Sequence, residues 1–229
     1  MNKYVEAIKA VDLDKVKALF QEDPKWVNWS EPTGKNALHY LCGVCLQGDA
    51  KKVDAALAIL RLLLSSGMDI NSVHRIEQKG CDDFQGTPLW YAYTRGRNKT
   101  LYKYLLKYGA DTRNCWWAIA WYDDIPAAKL WLKHGAKIDQ RPTLNELFLG
   151  SFVWKKFDFA YWLLEMGADV NATDEKGNTA LMVAVKRKDE EHIKKLVKLG
   201  ADADRQNTAG VSARIIAETK GPKRLLTML

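Results

Sequence analysis

Five times along this chain an apolar run ends in a glycine and a short polar phrase. The phrases are LLLSSGMDIN (62–71), LLKYGADTRN (105–114), WLKHGAKIDQ (131–140), LLEMGADVNA (163–172) and LVKLGADADR (196–205). Their glycines, Gly67, Gly109, Gly135, Gly167 and Gly200, are spaced by 42, 26, 32 and 33 residues. A second phrase recurs between them: GKNALHYLC (34–42), GTPLWYA (86–92), GNTALMVAV (177–185) and GVSARIIA (210–217). The apolar residues before each glycine fall at helical spacing, as in Ile193, Leu196 and Val197. The glycine ends that helix where a left-handed residue is required. Thr-Pro or Thr-Ala after the next glycine opens another helix, threonine capping it and proline fitting its first turn. Each period therefore reads as helix, tight turn, helix, loop. A self-similar period of this length is the mark of a stacked repeat, and it constrains the fold more than any other feature.

At these residues the chain resembles the ankyrin-repeat family, most closely in GTPLWYA, GNTALMVAV and the GAD-V-N endings. The resemblance covers almost the whole chain. It is strong over 163–218, good over 34–42 and 86–113, and weak over 115–160. It implies an all-α repeat solenoid of about six helix-turn-helix units, read as a single domain over 1–229. Residues 1–33 are a divergent N-terminal unit with 10–28 as its helical part. Residues 34–209 are internal repeats, and 210–229 a C-terminal capping unit closed by GPKRLLTML. Each unit buries its apolar face only against its neighbours, so no internal linker is expected.

Departures from the period are more informative than matches. From each helix-ending glycine to the expected end of the next inner helix, Arg187 lies 20 residues after Gly167 and Trp154 lies 19 after Gly135. Tyr122 lies only 13 after Gly109, and Arg95 lies 28 after Gly67. In ankyrin-like proteins this interval carries a β-hairpin finger. The resemblance thus implies an overlong finger at about 68–85 and one nearly missing around Thr112–Cys115. It also places the ends of the inner helices on a concave groove. Arg95, Trp121 or Tyr122, Trp154 and Arg187 would form a ladder there, flanked by Lys155 and Lys186. Aromatic side chains with arginine are what interface hot spots are made of. Trp116, Trp117, Trp131 and Trp162 fall within apolar helical runs and are expected in the core.

Composition narrows the classes. The 229 residues are 47% hydrophobic and 28% charged, with nine tryptophans. The net charge of +7 is dispersed, with 17 basic and 13 acidic side chains in residues 1–114 and 18 and 15 in residues 115–229. No basic tail or cluster marks a nucleic-acid arm. Charges every few residues in MNKYVEAIKAVDLDKVKALF exclude a signal-peptide core. The run AALAILRLLL is too short to span a bilayer and contains Arg61. Four cysteines without a secretory signal fit reduced thiols in a cytoplasm, and a monomer is expected.

Candidate chemistry is sparse. Cys42-Gly43-Val44-Cys45, with His74 and Cys81 beyond it, is a weak metal set, because a structural zinc site usually brings two close pairs. Packing is the default for these cysteines. His39, in NALHYL, stands where the resemblance implies a tether between neighbouring turns. Asp123-Asp124 could suggest acid–base work, but Asp before Ile-Pro reads as a helix cap. No phosphate loop, nucleophile elbow or HExxH is present.

No cofactor and no catalysis are therefore expected. The expected role is a protein–protein interaction module binding a partner protein through an aromatic-lined groove, possible subtypes being an inhibitor, an immunity protein or an effector. The alternative is a nucleic-acid binder using the same Trp, Arg and Lys, since bases stack on aromatic rings.

Overall fold

A computed structural model describes residues 2–46, 48–80, 82–112, 115–138 and 142–229, the Lys220 side chain excepted. The helices come in antiparallel pairs: α1 (Lys3–Ala10) with α2 (Leu13–Glu22), α3 (Ala37–Cys42) with α4 (Ala50–Ser65), and α5 (Pro88–Thr94) with α6 (Lys99–Lys107). Then follow α7 (Trp116–Trp121) with α8 (Ile125–Lys133), α9 (Leu144–Val153) with α10 (Phe157–Glu165), and α11 (Ala180–Arg187) with α12 (Glu190–Lys198). Helix α13 (Ala213–Lys220) and a 3-10 helix over Lys223–Met228 close the chain. This is the all-α repeat architecture expected. The chain falls into two compact units, residues 1–118 with 131–136, and residues 119–130 with 137–229. In the first, α1, α3 and α5 pack side by side in an inner layer, with α2, α4 and α6 behind. In the second, α9, α11 and α13 form the inner layer, with α10 and α12 behind α9 and α11. No described helix is long and apolar enough to cross a membrane.

The repeating glycines do what their position predicts. Gly67, Gly109, Gly135, Gly167 and Gly200 all have φ between 81° and 100°. At each, the next amide reaches back five residues, as when Ala168 N donates to Leu163 O at 2.9 Å. That bond satisfies a carbonyl that a helix end otherwise leaves orphaned. The inner helices end differently. Val11, Asp123, Lys155 and Lys188 take the left-handed conformation without being glycine, and Asp12, Asp124, Lys156 and Asp189 follow with the same five-residue bond. After α5 the left-handed residue is Arg97, and Asn98 N reaches back six residues to Ala92. One residue is therefore inserted at that turn.

The opening unit differs from its sequence reading. Its helical part is not one stretch over 10–28 but a complete pair. Asn2 caps α1, accepting from Tyr4 N at 2.9 Å, and Val11 breaks it before Asp12 caps α2. The long finger is a hairpin in which β1 (His74–Ile76) pairs antiparallel with β2 (Phe84–Gly86). Gly86 pairs twelve residues back to His74, whereas in two other fingers Asn36 pairs six back to Ser30 and Thr179 six back to Thr173. At the short finger Cys115 N donates to Thr112 O at 3.0 Å, and α7 starts at the next residue.

Neighbouring repeats complete one another's backbone. Asn71 accepts from Asp111 N (2.7 Å), Asn145 from Asp169 N (2.8 Å) and Asn171 from Asp202 N (2.7 Å). Buried His39 presents Nε2 to Ser72 O and Gly86 O, both at 3.1 Å, and so donates to the two ends of the long finger, just before β1 and at the end of β2. Helix caps follow the same logic. Asp12, Asn98, Asp124 and Asp189 each cap their own outer helix. Lys156, in the corresponding place before α10, cannot. Asp123 of the preceding repeat fills the gap, accepting from Phe159 N at 2.8 Å.

Two outcomes follow. Asp123→Ala will lower stability by about 1 kcal/mol in chemical denaturation, and adding Lys156→Asn, which restores a local cap, will recover most of it. His39 is held neutral, with a pKa of about 4, mainly by burial and also by positive charge from His74 and Lys35. The unfolded chain then binds the proton first on acidification. The His39 contribution is intact above about pH 6.5 and is lost as pH falls through about 4, at most about 3 kcal/mol in size. Denaturation midpoints of His39→Gln, measured between those pH values, should fall less steeply than those of the parent.

Candidate partner-binding surface

The surface is built where α7, α9 and α11 end. Helix α7 starts in the core and finishes in solvent: Trp116 is buried against the Trp131 ring, 6.1 Å between centroids, while Trp121 is 52% exposed. Tyr122 is 42% exposed, and at the end of α9 Val153 and Trp154 are 44% and 37% exposed. The other exposed large hydrophobic side chains among the described residues are Val73, Tyr108, Met166 and Leu199. Half of the set is therefore concentrated at two successive turns. The Trp121 and Trp154 rings meet edge to face, 5.3 Å apart and 76° inclined, a favoured aromatic geometry. Lys156 Nζ stands 5.5 Å over the Trp121 ring.

The left-handed turn residues set the register between repeats. Counting back one residue from Asp123, Lys155 and Lys188 aligns Tyr122, Trp154 and Arg187. Counting back two aligns Trp121, Val153 and Lys186. The residue inserted after α5 shifts only the turn: three residues beyond the carbonyls that accept the backward bonds, those of Ala92, Ile119, Ser151 and Ala184, stand Arg95, Tyr122, Trp154 and Arg187. Arg95 belongs to the first compact unit, where its guanidinium stands 5.6 Å over the Trp90 ring. The contiguous second-unit set is thus Trp121, Tyr122, Trp154, Lys155, Lys186 and Arg187, joined by Val153 and Lys156.

Arg187 is partly a structural group. Its Nη1 and Nη2 donate to Phe152 O (3.2 Å) and Val153 O (2.7 Å), capping the C-terminal end of α9. A cation is favoured there by the helix dipole as well. It therefore holds the backbone that carries Val153 and Trp154. Lys155 and Lys186 are exposed.

Other candidates find different places. Of the tryptophans expected in the core, Trp116, Trp131 and Trp162 are buried, but Trp117 is only half-buried. It lies one residue beyond Trp116, so the helical turn carries it off the buried face. Cys42 is fully buried, which pushes its thiol pKa up, away from the thiolate a metal needs, and Cys45 is exposed. His74 Nδ1 is engaged with the Tyr91 hydroxyl at 2.6 Å, and Cys81 lies outside the described residues. No cluster of three or more His, Cys, Asp or Glu side chains that could hold a metal occurs among the described residues. Asp123 and Asp124 are both helix caps, for α10 and α8.

The sequence reading missed Lys156 and Val153. Lys156 had a signal: it breaks the run of capping residues at Asp12, Asn98, Asp124 and Asp189. Val153 had none, since a valine closing an apolar helix reads as core.

The family model for ankyrin repeats (three copies) matches residues 115–207 and 153–228. No sequence among the curated proteins matches. Among solved structures, the chain is similar to the ankyrin repeat domain of Bcl-3, described as a unique member of the IkappaB protein family. The TM-score is 0.69 and the identity 20%, over 100% of this chain and 97% of that one. It is also similar to the human ASB11 ankyrin repeat domain, with TM-score 0.68 and 23% identity over 100% and 98% of the two chains.

Arg187→Ala will reduce stability by about 1 kcal/mol, below the usual range for bonds to a charged donor because the group is exposed. Lys186→Ala and Trp121→Ala will change it by less than about 0.5 kcal/mol. Urea denaturation midpoints of the three variants separate structural from surface roles.

Proposed function

Since this chain belongs to the ankyrin-repeat family, we propose that it is a non-enzymatic protein-binding module whose second unit engages a partner protein through the Trp121–Trp154 surface. The observation that carries this reading is the exposed edge-to-face tryptophan pair. A solvent-facing Trp contributes little to its own fold yet offers a large, rigid contact area at low entropic cost. Tyr122 and Val153 extend the apolar patch, while Lys155, Lys156 and Lys186 supply a polar, basic rim. Arg187 fixes the turn beneath, so the anchors are preorganised and less ordering entropy is lost on association. The action that follows is occlusion or scaffolding of the partner. Inhibition, immunity or effector capture are forms this can take. Binding by a single monomeric domain in the cytoplasm is part of the same proposal.

The experiment is affinity capture from the source cell's lysate. The native chain is compared with Trp121→Ala/Trp154→Ala, both checked for unchanged denaturation midpoints. A specific partner should be retained by the native chain and weakened by about 30-fold or more in the double variant, as expected for hot-spot loss. Retention of every partner by a folded double variant rules the surface out. Capture of nucleic acid alone, with affinity falling steeply as salt rises, replaces the reading with the nucleic-acid one.

A further inference from the structure

We propose that the first unit carries a separate anion-accepting cleft, formed by Lys9, Lys35 and Arg95, that binds an acidic segment of a protein partner. This rests on the protein-binding reading above but uses different residues. The cleft has a volume of about 470 Å3 and opens where α1, α3 and α5 end. Tyr40 and Tyr91 line it, and Gly43 lies at its wall. Lys9 Nζ stands 4.7 Å and Lys35 Nζ 4.4 Å from the centre of the same Tyr40 ring, so both amines are placed by one aromatic side chain. Lys35 also stands 5.7 Å from the Tyr91 ring, and Arg95 completes the rim.

Lys9, Lys35 and Arg95 line one cleft, and Glu31 is a carboxylate beside Lys35. Glu31 accepts a hydrogen bond from the Tyr40 hydroxyl, which commits one of its oxygens. Burial, together with repulsion from Lys9 and Arg95, lowers the pKa of Lys35, while Glu31 acts the other way. An incoming carboxylate would relieve that repulsion, which is the physical reason for an anionic occupant. The floor is neutral and rigid. His39 is buried and tied to Ser72 O and Gly86 O, and Tyr91 is fixed by His74. An added Cβ at Gly43 would lie 3.1 Å from Tyr91 Cδ1, so even one methyl there crowds the wall. Bare cations could bind any anion. The aromatic walls favour a chain that brings methylene groups with its charge, as glutamate does.

The test is titration of the full chain with a hexaglutamate peptide, followed by NMR of the Lys and Arg side chains at about 0.01 M ionic strength, where charges act over about 30 Å. Saturable shifts should appear at Lys9, Lys35 and Arg95. Lys35→Met/Arg95→Gln, folded as judged by its denaturation midpoint, should bind at least about tenfold more weakly, and Lys35→Arg should restore part of the affinity. Trp121→Ala/Trp154→Ala should leave the titration unchanged. Absence of saturable shifts overturns the proposal, as does binding that survives Lys35→Met/Arg95→Gln. Inorganic phosphate that saturates the cleft where the peptide does not also overturns it. If the peptide is lost only by the tryptophan variant, the cleft is refuted while the aromatic surface stands.

Discussion

Each repeat of this chain finishes the backbone of another, and the rest of the structure depends on that exchange. A two-helix unit leaves orphaned amides and carbonyls at every helix end. Here Asn71, Asn145 and Asn171 accept from the amides of Asp111, Asp169 and Asp202, and His39 donates to the carbonyls of Ser72 and Gly86 at the two ends of the long finger. Asp123 caps α10 from the preceding repeat, and Arg187 caps α9 from the following one. Such units are stable as stacks because apolar burial and polar satisfaction both come from neighbours.

The same economy frees the inner-helix ends for binding. A turn closed by a left-handed Asp123, Lys155 or Lys188 points the preceding side chains into solvent without loosening the backbone. Leaving non-glycine residues in that conformation costs of order 1 kcal/mol each, which the backward amide bonds help offset. In the first unit the corresponding ends present Lys9 and Arg95 around a cleft. In the second they present Trp121, Tyr122, Val153 and Trp154. One repeat design thus carries two surfaces of different chemistry.

The fold was largely legible in the sequence, and the site was legible in part. The glycine phrase names Gly67, Gly109, Gly135, Gly167 and Gly200 as left-handed helix ends, and all five are. The unequal intervals announced the long finger at 74–86 and the short one before α7. Spacing from those glycines brought Trp121, Tyr122, Trp154 and Arg187 to the ends of inner helices. It took Trp117 for core, although the helical turn after Trp116 carries that ring off the buried face.

The sequence by itself determined the repeat, the glycine-closed ends of its outer helices and its irregular fingers. These are local matters of apolar period, left-handed glycine and capping side chain, and each is written within a few residues. Only the tertiary structure decided which partner a side chain serves. Arg187 reads as a free groove cation until its guanidinium is found on the carbonyls of Phe152 and Val153. Asp123 reads as a cap for its own helix until Phe159 N is found against it. Lys9 and Lys35 lie 26 residues apart and become one site only because both pack on the Tyr40 ring. Contacts across repeats depend on stacking distance and rotamer, and no local pattern encodes either.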